Sequence, residues 1–325
     1  MGSMAVTAVQ MRRSWLGPLA GLLLGWLAGM PSLAEQALPA GKADDAPAVG
    51  AEAPQPAVWA VRDDDSTIYL FGTVHLRRAG ASWGGPVARR AMDEADTVWL
   101  EVSPDDLAAE RIGGVLREIG FDESRRLSTL LPPERLRQLR QAAVRMSLPA
   151  AMVETAKPWL LSSVLAMGPM RQAGYVVEAG VDRMVAEAAI AAGKTVRGLE
   201  SGEQQLRFLD GLPESAQLAM LYEALDHQDE SVEVLRTAEA AWESGDQARL
   251  RQSLVEPMAA AYPELYEAII DRRNHTWTQM LVEVMAGSGV DFVAIGAGHL
   301  GGEGSVDALL RERGFEVERL TPEPL

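Results

Sequence analysis

"IYLFGTVHL" (68–76) and "FVAIGAGHL" (292–300) decide how this 325-residue chain folds. Each is an apolar run ending in glycine, two spacers, histidine and leucine. Apolar runs this short, rich in β-branched and aromatic residues, read as buried strands. The chain holds only four histidines, and two of them stand three residues past the glycine of such a strand. Two further strands end on an acid: "TVWLEV" (97–102) contains Glu101, and "TVRGLE" (195–200) finishes at Glu200. If these four strands lie parallel, their carboxyl ends share one edge, where open α/β sheets place their ligands. Gly72 and Gly296 would let the backbone turn there, so that each histidine points back over the sheet edge.

The flanking sequence supplies the rest of the sheet. Two strand-like runs on either side of "DDDS" (63–66) predict a hairpin at the start of the folded part. A short helix is expected over 86–95. Ser103-Pro104 suits a helix start and opens a helical insertion at about 104–190, closed by Gly193. A second helical block spans about 202–286. The chain then returns with a strand over 291–296, a helix over 305–313 and a strand over 315–320. The expected class is α/β: a mixed β-sheet core built from both ends of the chain, with a large helical insertion. The paired strand–Gly–x–x–His units hint at two related halves.

At the N-terminus, Arg12 and Arg13 precede the apolar run "WLGPLAGLLLGWLAGM" (15–30), followed by small residues at Ser32 and Ala34. This is the pattern of a cleaved signal peptide over 1–34. Residues 35–56, rich in Ala, Pro and Gly, read as a flexible leader, and 57–322 as a single domain. Removing two arginines and no acids takes the net charge from −16 to −18. So acidic a chain does not suit nucleic acid or an anionic membrane surface. The absence of cysteine excludes a thiol nucleophile, a lipid-anchored cysteine and thiolate zinc sites. A periplasmic or secreted protein, with no stable membrane insertion after cleavage, is expected.

His75, His299 and one or two carboxylates form an N/O donor set suited to a divalent transition metal with an open position. A glycine loop cradling phosphate is the alternative for "GAGHLGGEG" (296–304), though it has no lysine for the phosphate. His227 lies among charges and reads as surface. On the helix "PELYEAIIDRRNHTWTQMLVEVMAG" (263–287), a constant 100° per residue puts Leu265, Ile269, Thr276, Met280 and Val284 in one stripe. His275 points away from it, and Arg273 falls in its middle. A core-facing arginine must be paired or line a cavity. It is either a structural ion-pair member or a guanidinium aimed at a substrate carbonyl, with Asn274 beside it.

These motifs resemble the TraB/GumN family, related to the TIKI group of metal-dependent proteases. The likeness is carried by "YLFGTVHL", "VWLEV", "AKPW" (156–159), "GVDRMVAEAAIAAGKTVRGLESGEQQL" (180–206), "RRNHTWTQML" (272–281) and "FVAIGAGHLGGEGSV" (292–306). The resemblance implies a core of two related halves and, in the TIKI branch, metal-dependent peptide hydrolysis. The expected roles are His75, Glu101 and His299 as ligands of Mn²⁺, Co²⁺ or Zn²⁺. Glu200 would act as general base, and Arg273 with Asn274 would steady the oxyanion of a peptide or protein substrate. Two other readings stay open: a periplasmic haem- or metal-binding protein with Tyr69 near the histidines, and an ester hydrolase similar to the erythromycin esterases.

Overall fold

The computed structural model describes residues 54–321. The segment expected to be a signal peptide, nearly all of the expected leader and Pro322 lie outside the described residues.

Six strands form one mixed sheet. β1 (Val58–Arg62) and β2 (Ser66–Thr73) make the expected hairpin, pairing antiparallel across Asp63–Asp65. Asp63 closes its turn by accepting from the backbone N–H groups of Asp65 and Ser66. The remaining strands are β4 (Thr97–Val102), β6 (Thr195–Glu200), β7 (Gly289–Gly296) and β8 (Glu316–Leu320). The order is β6-β4-β7-β2-β1-β8. β6, β4, β7 and β2 all run parallel, whereas β1 and β8 are antiparallel neighbours. The first and last parts of the chain therefore interleave in one sheet, so the core cannot close until both are in place.

Each sheet face carries helices, which explains why the central strands alternate nothing polar. On one face Phe71, Leu100, Phe292 and Ala294 pack against α1 (Pro86–Glu94), α6 (Val181–Ala191) and α9 (Gln228–Glu243). On the other, Leu70, Val293 and Ile295 meet Trp277 and Leu281 of α12 (Arg272–Met285) and Leu310 of α13 (Val306–Glu312). A third apolar cluster is almost wholly helical. It joins α2 (Ala109–Ile119), α3 (Pro133–Arg145), α5 (Pro158–Gln172), α7 (Gly202–Asp210) and α8 (Glu214–Asp226). This is the body of the two helical blocks, and it hangs from the sheet's carboxyl edge through Leu76.

Local expectations are corrected. The helix expected to open at Ser103-Pro104 begins at Ala109 instead. Within the otherwise helical insertion, β5 (Tyr175–Val176) pairs with β3 (Arg77–Arg78) in a two-stranded sheet. Elements of two residues leave no periodicity to read. The stripe on the 263–287 helix is also displaced. A π turn at Glu267–Asp271 adds one residue to the winding. Beyond it Trp277, Leu281 and Met285 are buried, one position after Thr276, Met280 and Val284, which are exposed or half-buried. Ile269 and Arg273 stay inward, and Asn274 joins them. Among the described residues no helix is long and apolar enough to cross a membrane.

Candidate functional site at the carboxyl edge of the sheet

The two Gly-x-x-His units end on adjacent parallel strands. In the β2–β7 ladder Gly72 faces Ile295 and Thr73 faces Gly296, so the motifs are staggered by one residue. That register delivers both histidines to the same edge. His75 follows β2 directly, and His299 closes a 3-10 turn (Ala297–His299) after β7. Both are buried, at 7% and 2% exposure.

The glycines serve close approach rather than a sharp turn, since neither has a positive φ. A β-carbon on Gly72 would meet Ala297 Cβ at 3.0 Å. One on Gly296 would meet Glu101 Oε1 at 2.9 Å, His299 Cδ2 at 3.5 Å and His75 Nε2 at 3.8 Å. The bare face of Gly296 is thus the point that three of the expected ligands surround.

Each imidazole is backed on its Nδ1 side. Asp182, in the first turn of α6, places Oδ1 3.1 Å from His75 Nδ1, an ion-pair contact off the line of a hydrogen bond. Gly180 permits it: Val181 N–H donates to the Val74 carbonyl, and a β-carbon at 180 would strike the His75 carbonyl oxygen at 2.6 Å. His299 Nδ1 lies 2.6 Å from Asn274 Oδ1, and Asn274 donates its amide N–H to the Gly304 carbonyl. With the amide so oriented, His299 carries its proton on Nδ1 and turns the Nε2 lone pair inward, where it accepts from Arg273 Nη1 at 3.2 Å.

Arg273 is the hub. Its Nε donates to Glu200 at 3.0 Å, Nη2 donates to Glu200 at 2.6 Å and to Glu101, and Nη1 also donates to the Ile269 carbonyl at 2.9 Å. The guanidinium packs 4.4 Å from the Trp277 ring centre. All five N–H donors of the fork are therefore engaged. Glu101 Oε1 accepts the Gly296 N–H at 2.7 Å, and Oε2 accepts from Gln205 at 3.0 Å. Burial opposes the Glu101 charge, yet Arg273, the two histidines and the Gly296 N–H outweigh it and hold the carboxyl at about 2. Glu200 goes the other way: burial prevails over Arg273 and raises its pKa. Two carboxylates on one cation leave one charge in excess, and the proton preference falls on Glu200. Burial, then Arg273, pushes His299 down to about 3. For His75 burial works downward as well, but Asp182 and then Glu101 overcome it and lift the ring to about 9.

A cavity of about 300 Å³ opens at this edge. His75, Glu101, Asp182 and Gln205 are in its wall, whereas Arg273, Glu200 and His299 stand behind them. Sequence reasoning did not single out Asp182 and Gln205. An acid in a first helical turn reads as ordinary dipole compensation. Gln205 follows Ser201 and Gln204, whose reciprocal capping box accounts for the polar run by itself.

The other expectations separate cleanly. His275 is exposed beside Asp271, and His227 is half-buried between Glu223 and Glu230, both away from this cluster. Tyr69 is turned to Glu94 Oε2 at 2.5 Å and is not gathered with the histidines. The glycine loop offers no open cradle: Gly301 N–H is taken by Asp307 and Gly302 N–H by Ser305. In "AKPW", Lys157 and the Trp159 indole both donate to Asp210, at 2.6 and 3.1 Å, in the helical body.

As a metal centre the donors fit in kind. Two imidazoles, each steadied through its far nitrogen by an oxygen, and one carboxylate oxygen surround the bare glycine. They are not drawn into a finished coordination shell: the His299 Nε2 lone pair accepts from Arg273 Nη1 and would have to exchange that donor for an ion. Among the described residues no three His, Asp or Glu side chains form a group ready to hold an ion.

These features define a mixed α/β protein whose ionisable groups converge on the carboxyl edge of four parallel strands. The TraB/PrgY/gumN family profile matches residues 57–319, and the chain belongs to that family. It is 28% identical over 185 residues to a protein of Escherichia coli (strain K12) named "Uncharacterized protein YbaP". The match covers 57% of this chain and 68% of that protein, and a Shigella flexneri protein of the same name matches equally.

Proposed function

We propose that this chain is an exported metal-dependent hydrolase that cleaves peptide bonds, with His75, His299 and Glu101 holding Mn²⁺, Co²⁺ or Zn²⁺. The observation that carries the reading is the convergence of these three side chains on the bare face of Gly296, beside a cavity lined by two of them. A bound ion would polarise the scissile carbonyl and lower the pKa of a bound water towards neutrality. The protein's own groups do the rest. Glu101 stays ionised in the cavity wall. Glu200, whose pKa burial raises and whose Oε2 accepts from Arg273 Nε at 3.2 Å, is the member of the carboxylate pair suited to carry a proton. Asp182 and Asn274 fix the two rings, and Gln205 fixes Glu101.

Arg273 has a different part from the oxyanion donor expected from the sequence. With every N–H engaged, it positions Glu101, Glu200 and His299 and keeps two buried carboxylates compatible with the fold. Asn274, spanning His299 and the Gly304 carbonyl, is likewise a positioning residue. Export rests on the N-terminal pattern of 1–34.

The test is a cleavage screen of the mature protein against peptide and ester panels, after chelation and after restoring each ion. Peptide cleavage lost on chelation and recovered with one of the three ions is expected. Turnover of esters alone would reassign the site to the esterase reading, and cleavage indifferent to chelation would remove the metal.

A further inference from the structure

The cavity lining has two parts of opposite character. One is polar, with His75, Glu101, Asp182 and Gln205. The other is apolar: Val102 ends β4 and Pro104 and Leu107 follow it, while Val177, Ala186 and Ile190 come from α6 and the turn before it. Ile190 stands at the rim 57% exposed, one of only two large apolar side chains so placed among the described residues. The rim charges do not compete for a ligand, because Arg183 and Glu187 face each other, with Nε donating to Oε1 at 3.0 Å.

We infer that this cavity is the specificity subsite of the proposed hydrolase and takes one medium-sized apolar side chain, leucine- or phenylalanine-like, next to the scissile carbonyl. The inference rests on the functional reading above. A volume of about 300 Å³ is at the lower end of the ~300–1,000 Å³ common for small-molecule sites. It accommodates one such side chain with its flanking amides. A charged side chain would meet the apolar part of the lining and lose water there without a hydrogen bond in return. Ala186 sets the depth and Ile190 the lip.

Binding can be measured without turnover. The mature protein is titrated by NMR with the N-acetyl amides of leucine, phenylalanine, aspartate and lysine. The leucine and phenylalanine probes should bind about tenfold or more tightly than the charged pair, within the ~10–200-fold that a hydrophobic pocket discriminates. Ala186→Phe fills the cavity and should weaken the apolar probes about tenfold. Ile190→Asp should weaken them too, and its exposed position keeps the fold out of the result. Equal binding of charged and apolar probes, or unchanged binding in Ile190→Asp, overturns the subsite. Apolar binding without any peptide cleavage would retain the subsite and overturn the hydrolase. Peptide cleavage without apolar preference would do the reverse.

Discussion

His75 and His299 follow the same glycine spacing on neighbouring parallel strands, and both are buried, yet their surroundings pull their charge in opposite directions. His75 is backed by the Asp182 carboxylate and lies near Glu101, and its pKa rises to about 9. His299 is backed by the neutral Asn274 amide and faces the Arg273 guanidinium, and its pKa falls to about 3. At neutral pH one ring is a cation and the other is not. The repeated motif therefore decides position, while the residue behind each ring decides charge. The backing residues come from helices, Asp182 from α6 and Asn274 from α12, so the helical blocks tune a pair that the sheet merely aligns.

The strongest disturbance of this pair removes its common neighbour. Read as part of an apolar stripe, Arg273→Leu would be tolerated. In the structure it strips the cation from two buried carboxylates, and breaking a buried pair costs about 3–5 kcal/mol. Urea unfolding at pH 7 should show a loss of that size, and Glu200→Gln in the same chain should recover part of it. A variant as stable as the parent would mean that Arg273 is dispensable to the fold.

The next effect is on stability against pH. The raised pKa of His75 contributes stability that is complete below about 6.5 and is lost as pH rises through about 9. The lowered pKa values of His299 and Glu101 act the other way. Their contributions are complete above about 6.5 and 4.5 and are lost as pH falls towards 3 and 2. Together the three groups place their greatest stabilisation near pH 6.5, with the His75 share on the order of 3 kcal/mol. Denaturation midpoints between pH 3 and 10 check this, and a stability still rising from pH 7 to 9 would contradict the His75 assignment.

A smaller and sharper pair of changes exchanges the backing residues. Asp182→Asn should lower the titration of the His75 ring by at least about one unit, and Asn274→Asp should raise that of His299, as a nearby opposite charge typically shifts a pKa by about 1–3 units. Ring-proton NMR of the metal-free protein reads both. Unmoved titrations would show that burial alone sets the two values.

Much of the sheet was legible because its strands are short apolar runs between turn signals. β4 and β6 fall where their residues predict, and β2, β4, β6 and β7 are parallel, as a shared edge requires. What stayed hidden depends on phase and on distance. One extra residue in the π turn at Glu267–Asp271 moves the buried face of α12 by one position, which a constant 100° period does not register. Asp182 sits 107 positions from His75 in a helix start that needs no functional explanation, and only the packing of α6 on the strand end joins them. The partner of Arg273 was equally beyond reach, since glutamates from two strands close on it from different parts of the chain.

The most direct test of the central claim, that both Gly-x-x-His units serve one metal-binding site, is calorimetric titration of Mn²⁺, Co²⁺ and Zn²⁺ into four single variants of the mature protein at pH 7. His75→Ala and His299→Ala should each weaken binding by more than the ~10–100-fold typical of changes behind the ligands. His227→Ala and His275→Ala, whose rings stand apart from the sheet edge, should bind as the parent does. If the first two variants bind as tightly as the second two, the shared site does not exist, and the twin motifs are strand ends that only look alike.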